Sequence, residues 1–279
     1  MNILSRQSRG VIPIVPTPFD DEGRVDLASI PKLIAYYQAC GVIGLTILGV
    51  MGEASKLTQG ETEDVVETFV SHAKGRLPVI VGVSGTSLAA SAALALWSQE
   101  RGAFGVMLQA MSGLQGDDAL VTYFEMFAER TQKQCPICVQ DYPVSSGVHM
   151  SVAAWRRIAK LESVFMLKHE PPAGLQKLSQ IRASEKEGAC PRIAILTSNN
   201  AMHLSQELDR GADGAMVGVA YTDLIVLICR LYAEGQVEKA LDIYDAVLPL
   251  IRHESQGAFG LAIRKEILRR RGVLRTGHV

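Results

Sequence analysis

The sequence lacks an excess of charge of either sign: 28 Lys and Arg stand against 29 Asp and Glu in 279 residues. With no basic surplus to neutralise phosphates, nucleic-acid binding is not expected. Long apolar runs are missing as well. The run at 224–229 is stopped by Arg230, far short of the ~20 residues a bilayer span needs, so no membrane partner is expected. Residues 1–10 carry Arg6 and Arg9 but no apolar stretch for a signal peptide. Cysteine is sparse, and its count of five is odd, which suits free thiols in a cytoplasmic protein better than a disulfide framework. Cys135-Pro136-Ile137-Cys138 has no second pair for zinc and reads as core packing. The six histidines form no H-E-x-x-H or other ligand pattern, so no metal is expected. The run Arg269-Arg270-Arg271 reads as a solvated helix end.

What is present is apolar content, 48% of the chain, enough for a large buried core. It is distributed in short runs at 11–15, 44–48, 79–83, 105–108, 137–140, 164–168, 193–196 and 214–217. They are too continuous to be half exposed, which suits a parallel sheet covered on both faces. Helical patterns lie between them. Residues 58–74 open with a Thr58-Gln59-Gly60-Glu61 capping box, 87–100 and 151–161 open on serine, and 201–210 stops before Gly211. Strand starts recur roughly every 21 to 35 residues, the spacing of one repeated βα unit. No linker interrupts the series and no GxGxxG turn favours a doubly wound sheet. The expectation is an α/β protein, a (β/α)8 TIM barrel over 1–222. Helices at 223–234, 236–252 and 257–271 form a C-terminal extension, 223–279, of the same domain.

In such a barrel, catalytic groups come from the carboxyl ends of strands and the loops that follow. Strand two ends in Gly49-Val50-Met51-Gly52-Glu53, strand five in Gln140-Asp141-Tyr142-Pro143 and strand six in Lys168-His169-Glu170. Strand seven ends in Thr197-Ser198-Asn199-Asn200 and strand eight runs into Gly218. Lys168 closes an apolar run and should project into the barrel mouth, where partial desolvation favours a free amine. A free amine attacks a ketone, and the iminium acidifies the adjacent carbon. The plainer alternative is a lysine that leaves the sheet for solvent. The glycines of the strand-two loop can aim backbone N–H groups at a carboxylate, or simply make a turn.

Together these residues resemble the dihydrodipicolinate synthase and N-acetylneuraminate lyase family of Schiff-base enzymes. Gly10-Val11-Ile12-Pro13-Ile14-Val15-Pro16-Thr17-Pro18-Phe19 is similar to its opening strand, Gly49-Val50-Met51-Gly52-Glu53 to its carboxylate loop, and Gly211-Ala212-Asp213-Gly214-Ala215-Met216 to its eighth-strand entry. Lys168 falls where its Schiff-base lysine falls. The departures are as informative. Val50 and Met51 replace the loop's two hydroxyl residues, and Gln140 stands in the place of a tyrosine. Ala110-Met111-Ser112-Gly113 lacks the synthases' paired tyrosines, and Ser145 replaces their arginine. One subgroup, the 2-keto-3-deoxy-arabonate (pentonate) dehydratases, resembles the chain at these places: in Val139-Gln140-Asp141, in Lys168-His169-Glu170, and in Leu248-Pro249-Leu250-Ile251-Arg252-His253-Glu254.

The resemblance implies a carbon–oxygen lyase (a hydro-lyase) acting on a 2-keto acid, best read as dehydrating a 2-keto-3-deoxy sugar acid. The alternatives are a pyruvate-dependent aldolase or dihydrodipicolinate synthase-like enzyme, and a catalytically silent keto-acid-binding barrel. The expected catalytic set is Lys168, Gln140, Glu170 and Tyr142. Glu170 is either the acid/base or a salt-bridge partner of the lysine. The expected substrate-binding set is Gly49, Val50, Met51, Gly52, Ser198 and Gly218, with Glu53 anchoring its loop and His169 alternating outward. No cofactor is implied beyond the covalent Schiff base. A homotetramer or homodimer is implied as the assembly. Family members continue with another helical segment where seven residues follow Gly272 here, which implies a difference in oligomer packing and at the outer edge of the site.

Overall fold

The computed structural model describes residues 4–85 and 87–279; residues 1–3, part of the segment read for a signal peptide, and Thr86 lie outside the described residues. Each expected apolar run carries a strand: β1 (Gly10–Val11), β2 (Leu45–Ile47), β3 (Val79–Gly82), β4 (Gly105–Gln109), β5 (Ile137–Asp141), β6 (Val164–His169), β7 (Ala194–Thr197) and β8 (Gly214–Ala215). All pair in parallel in the order β1-β8-β7-β6-β5-β4-β3-β2. The ring closes where Ile14 bridges Thr46, and the Thr46 N–H donates to the Pro13 carbonyl at 2.9 Å. Hydrogen bonds toward β8 run on past the ladder, from the Ile12 N–H to Ala215 and the Ile14 N–H to Val217 at 2.9 and 3.0 Å. Pro13, which has no N–H to donate, faces the other neighbour, where its carbonyl accepts from Thr46.

Both faces of the sheet are covered, which is why the strands read as unbroken apolar runs. Ile12, Ile80, Met107, Cys138, Met166 and Leu196 fill the barrel's interior as a packed plug. A larger core lies between sheet and helices and takes in Cys135. All five cysteines are free, so the C-x-x-C pair is packing, as expected.

The helices are α1 (Ile30–Cys40), α2 (Gln59–Ala73), α3 (Leu88–Glu100), α4 (Gly116–Arg130), the short α5 (Pro143–Ser146), α6 (Val152–Ile158), α7 (Leu175–Lys186), α8 (Leu204–Asp209), α9 (Thr222–Ala233), α10 (Val237–Glu254) and α11 (Gly260–Arg270). The Thr58–Glu61 capping box is formed at α2, and Ser87 and Ser151 cap α3 and α6. The helix expected at 201–210 begins later, at Leu204. Asn199, Asn200 and Ala201 are left-handed (φ 47°, 55° and 62°), and no α-helix runs through that conformation. α9 packs on β1, β8 and α1 and so serves the eighth βα unit; α10 packs on α9, and α11 on α10. No helix among the described residues is long and apolar enough to cross a membrane.

Candidate active site

Strand alternation sorts the side chains at the ends of β5 and β6. Gln140 and Lys168 are register partners, as are Asp141 and His169. Because successive side chains point to opposite faces, one pair faces the lumen and the other faces away. Asp141 forms an ion pair with Lys177 on α7. The His169 ring meets the Gly174 carbonyl at 3.0 Å, and burial lowers its imidazole pKa. The outward direction expected for His169 is observed.

Inside the mouth, three side chains meet on one carboxylate, that of Glu170. Lys168 Nζ lies 2.9 Å from Glu170 Oε2, and the lysine is 5% exposed. Gln140 Nε2 donates to the same oxygen at 3.1 Å, and Ser198 Oγ donates to Oε1 at 2.7 Å. Glu170 reaches this position because its own N–H is fixed to the Asp141 carbonyl at 3.1 Å, just beyond β6. Tyr142 lines the same cavity, and burial together with the Glu170 charge raises its phenol pKa. The cavity is about 290 Å³ and is also lined by Val50, Met51, Asn199, Asn200 and Gly218.

The strand-two loop is a short 3-10 turn over Val50–Gly52, flanked by left-handed Leu48 and Glu53 (φ 56° and 55°). Val50 and Met51 line the cavity, whereas Gly49 and Gly52 shape the turn behind them. A Cβ on Gly49 would come 2.9 Å from Ile14 Cγ2, and the Gly52 carbonyl accepts from Thr17 Oγ1 at 2.6 Å. Glu53 is buried between Lys56 (2.7 Å) and Lys265 of α11, the anchoring role expected for it. Gly218 leaves room for Met51: a Cβ there would lie 2.7 Å from Met51 Cγ and displace that side chain.

Two charged lining residues, Arg264 and Glu254, were not in the expected set. Arg264, 5% exposed, stands 3.4 Å from Glu254 and places Nη1 2.8 Å from Met51 Sδ. Burial raises the Glu254 carboxyl pKa, against the pull of the Ala220 N–H and Arg264. Burial also lowers the Arg264 pKa, though a guanidinium stays charged in proteins. Gly257, Gly260, Leu261 and Arg264 share one helical spacing, but nothing in the sequence says that this face meets the mouth.

A larger cavity, about 870 Å³, lies at the opposite end of the barrel around Arg9, Arg182, Arg192 and Asp213. Asp213 pairs with all three arginines there, which fixes the strand starts. The smaller cavity is the candidate active site, because it lies at the carboxyl ends of the strands and holds the lysine–carboxylate pair.

Fold and site define a (β/α)8 barrel with a lysine and a glutamate paired at its carboxyl mouth. Comparison with known proteins sharpens this. The model of the dihydrodipicolinate synthetase family matches residues 7–279, and the chain belongs to that family as one of its lyases. It is 34% identical over 271 residues to the L-2-keto-3-deoxyarabonate dehydratase of Azospirillum brasilense, covering 95% of this chain and 85% of that protein. It is 28% identical to the 4-hydroxy-tetrahydrodipicolinate synthase of Escherichia coli, over 86% of this chain and 81% of that one. Among solved structures, the dihydrodipicolinate synthase of Rhodopseudomonas palustris superposes with a TM-score of 0.95 at 39% identity, covering 99% and 91% of the two chains. A structure described as the first monomeric dihydrodipicolinate synthase variant follows at 0.89 and 25%, covering 98% and 90%.

Proposed function

We propose that this protein forms a Schiff base through Lys168 with a 2-keto acid and dehydrates a 2-keto-3-deoxy sugar acid. The observation that carries the reading is the convergence of Lys168, Gln140 and Ser198 on the Glu170 carboxylate. The Lys168–Glu170 ion pair can pass a proton to the carboxylate, which leaves a free amine to attack C2. Glu170 returns that proton to the C2 hydroxyl, which departs as water, and is again a carboxylate. The iminium acidifies C3, and Glu170 takes that proton. Returned to the C4 hydroxyl, the same proton lets it depart as water. Hydrolysis then releases lysine, with net loss of one water from the substrate.

The mouth suits elimination better than a synthase condensation. Its acid/base is a carboxylate, and the positions of the loop and strand five carry Val50, Met51 and Gln140, none of which relays a proton as a phenol or alcohol does. The named activity of the Azospirillum brasilense relative, a dehydratase of a 2-keto-3-deoxy sugar acid, supports the same reading. The Val50 and Met51 positions offer backbone N–H groups to the substrate carboxylate, while Ser198 and Gln140 orient Glu170. Tyr142 contributes a phenol at the rim.

Incubation with pyruvate and borohydride, read by intact mass, tests the first step. A covalent adduct is expected in the wild type and its loss in Lys168→Ala; an adduct that survives the substitution overturns the reading. Glu170→Gln is expected to keep the adduct while turnover of 2-keto-3-deoxy-pentonates falls about 10²- to 10⁴-fold. Release of pyruvate from those acids, rather than loss of water, would identify an aldolase instead. Assembly as a homodimer or homotetramer, also part of the proposal, is read by light scattering.

A further inference from the structure

We propose that Arg264 is the receptor for the substrate's carboxylate, taking it in place of the Met51 thioether. The inference rests on which charges in the cavity are free. Among the described residues that line it, Lys168 and Arg264 are the two cations. Lys168 is held by Glu170 at 2.9 Å and, on the Schiff-base reading, becomes the point of covalent attachment. Arg264 is then the remaining positive group for an anion, in a chain whose net charge is −1 and which supplies no general positive field.

Its present partners under-satisfy it. Charge-assisted hydrogen bonds between guanidinium and carboxylate run at about 2.7–2.9 Å, whereas Arg264 Nε stands 3.4 Å from Glu254 Oε2. Both Nε and Glu254 Oε1 are buried without a hydrogen-bond partner among the described residues. The other Glu254 oxygen is shared with the Ala220 N–H at 2.8 Å, which ties it to the chain after β8. Nη1 rests on Met51 Sδ, and a thioether is a weak acceptor. A buried cation so poorly matched is costly unless something better arrives.

The position is also right. Met51 lines the cavity and belongs to the loop that the proposed function assigns to the carboxylate, so Arg264, in contact with Met51, stands beside that place. Methionine is unbranched and adaptable, and the Met51 thioether rests on the guanidinium at the cavity wall. Swinging aside, it yields to a carboxylate whose two oxygens match the planar fork of the guanidinium. The arrangement accounts for Val50 and Met51 at positions where hydroxyl side chains would otherwise assist: the anion is held from α11 instead.

The test compares pyruvate with methyl pyruvate, a ketone of similar size without the anion, in borohydride trapping of the intact protein. In Arg264→Ala the half-saturating concentration of pyruvate is expected to rise about 10- to 100-fold, while that of methyl pyruvate stays unchanged. Arg264→Lys, which keeps the charge without the fork, is expected to show a smaller rise and serves if the alanine variant does not fold. An unchanged pyruvate value, or an equal shift for both ketones, overturns the proposal. Should the wild type form no adduct, the Schiff-base reading fails by itself. Arg264 is then judged by calorimetric titration with lactate, which forms no imine. Binding lost in both variants supports it, and equal binding or none in the wild type overturns it.

Discussion

Glu207 on α8 is 2% exposed, and its Oε2 has no hydrogen-bond partner among the described residues. Burial raises its carboxyl pKa to about 7, helped by the Glu170 charge and opposed by a hydrogen bond with Thr197. A carboxyl raised in the folded state holds its proton where the unfolded chain has released it. Its contribution to stability is therefore neutral below the ordinary value of 4.5 and turns unfavourable as pH rises from there to about 7. Glu207→Gln is accordingly expected to stabilise the protein at pH 8, by up to about 3 kcal/mol, and to leave it unchanged at pH 4. Urea denaturation at the two pH values checks this, and an equal gain at both would show that the charge is not responsible. The same desolvation acts on Tyr142 and on His169, whose buried Nδ1 likewise has no hydrogen-bond partner among the described residues.

At the scale of elements, the barrel's narrowest constraint is the seam between β1 and β8. Gly10 and Gly214 are register partners, and both have backbone conformations that L side chains rarely adopt, at φ 132° and 148°. A Cβ on Gly214 would lie 1.9 Å from the Gly10 carbonyl oxygen, backbone that has nowhere to move. Gly214→Ala is expected to cost about 3 kcal/mol or more and to lower the melting temperature sharply. Gly113→Ala is the control. It shares a positive φ, 90°, but a Cβ there meets nothing within 4 Å. It should cost only about 1–2 kcal/mol. Similar losses in the two variants would mean that the dihedral, not the close approach, sets the cost.

Across the whole molecule, the helical extension is wired into the mouth of the barrel. Lys265 on α11 is buried against Glu53 and lies over the Phe19 ring at 4.3 Å, while Arg271 pairs with Asp223 at 2.9 Å and Thr276 donates to the Phe19 carbonyl at 2.6 Å. The extension therefore supports the loop that presents Val50 and Met51. Lys265→Met leaves the buried Glu53 carboxylate with Lys56 alone and should cost about 3 kcal/mol, while the double variant Glu53→Gln/Lys265→Met should cost less than the sum of the single changes. Denaturant unfolding followed by tryptophan fluorescence reads both, and strict additivity would show that the pair is not coupled.

The eight apolar runs, the capping box at Thr58 and the position of Lys168 were all legible in the sequence. Burial on both faces and hydrogen bonding within a few residues leave local patterns. Strand period two likewise placed Lys168 and Glu170 on one side and His169 on the other. Arg264, Glu254 and Glu207 were not legible as members of the mouth or its surroundings. They lie on α10, α11 and α8, and a helix's own sequence does not state which neighbour its faces meet. The succession of strands and helices along the chain, and the place of Lys168 at the end of the sixth strand, were thus set by local sequence. That Gln140 and Ser198 both bond the Glu170 carboxylate, and that Arg264 stands beside Met51 at the same mouth, was decided only when the closed barrel and its two-helix extension brought residues far apart in the chain together, because hydrogen bonds and burial between distant segments leave no local pattern.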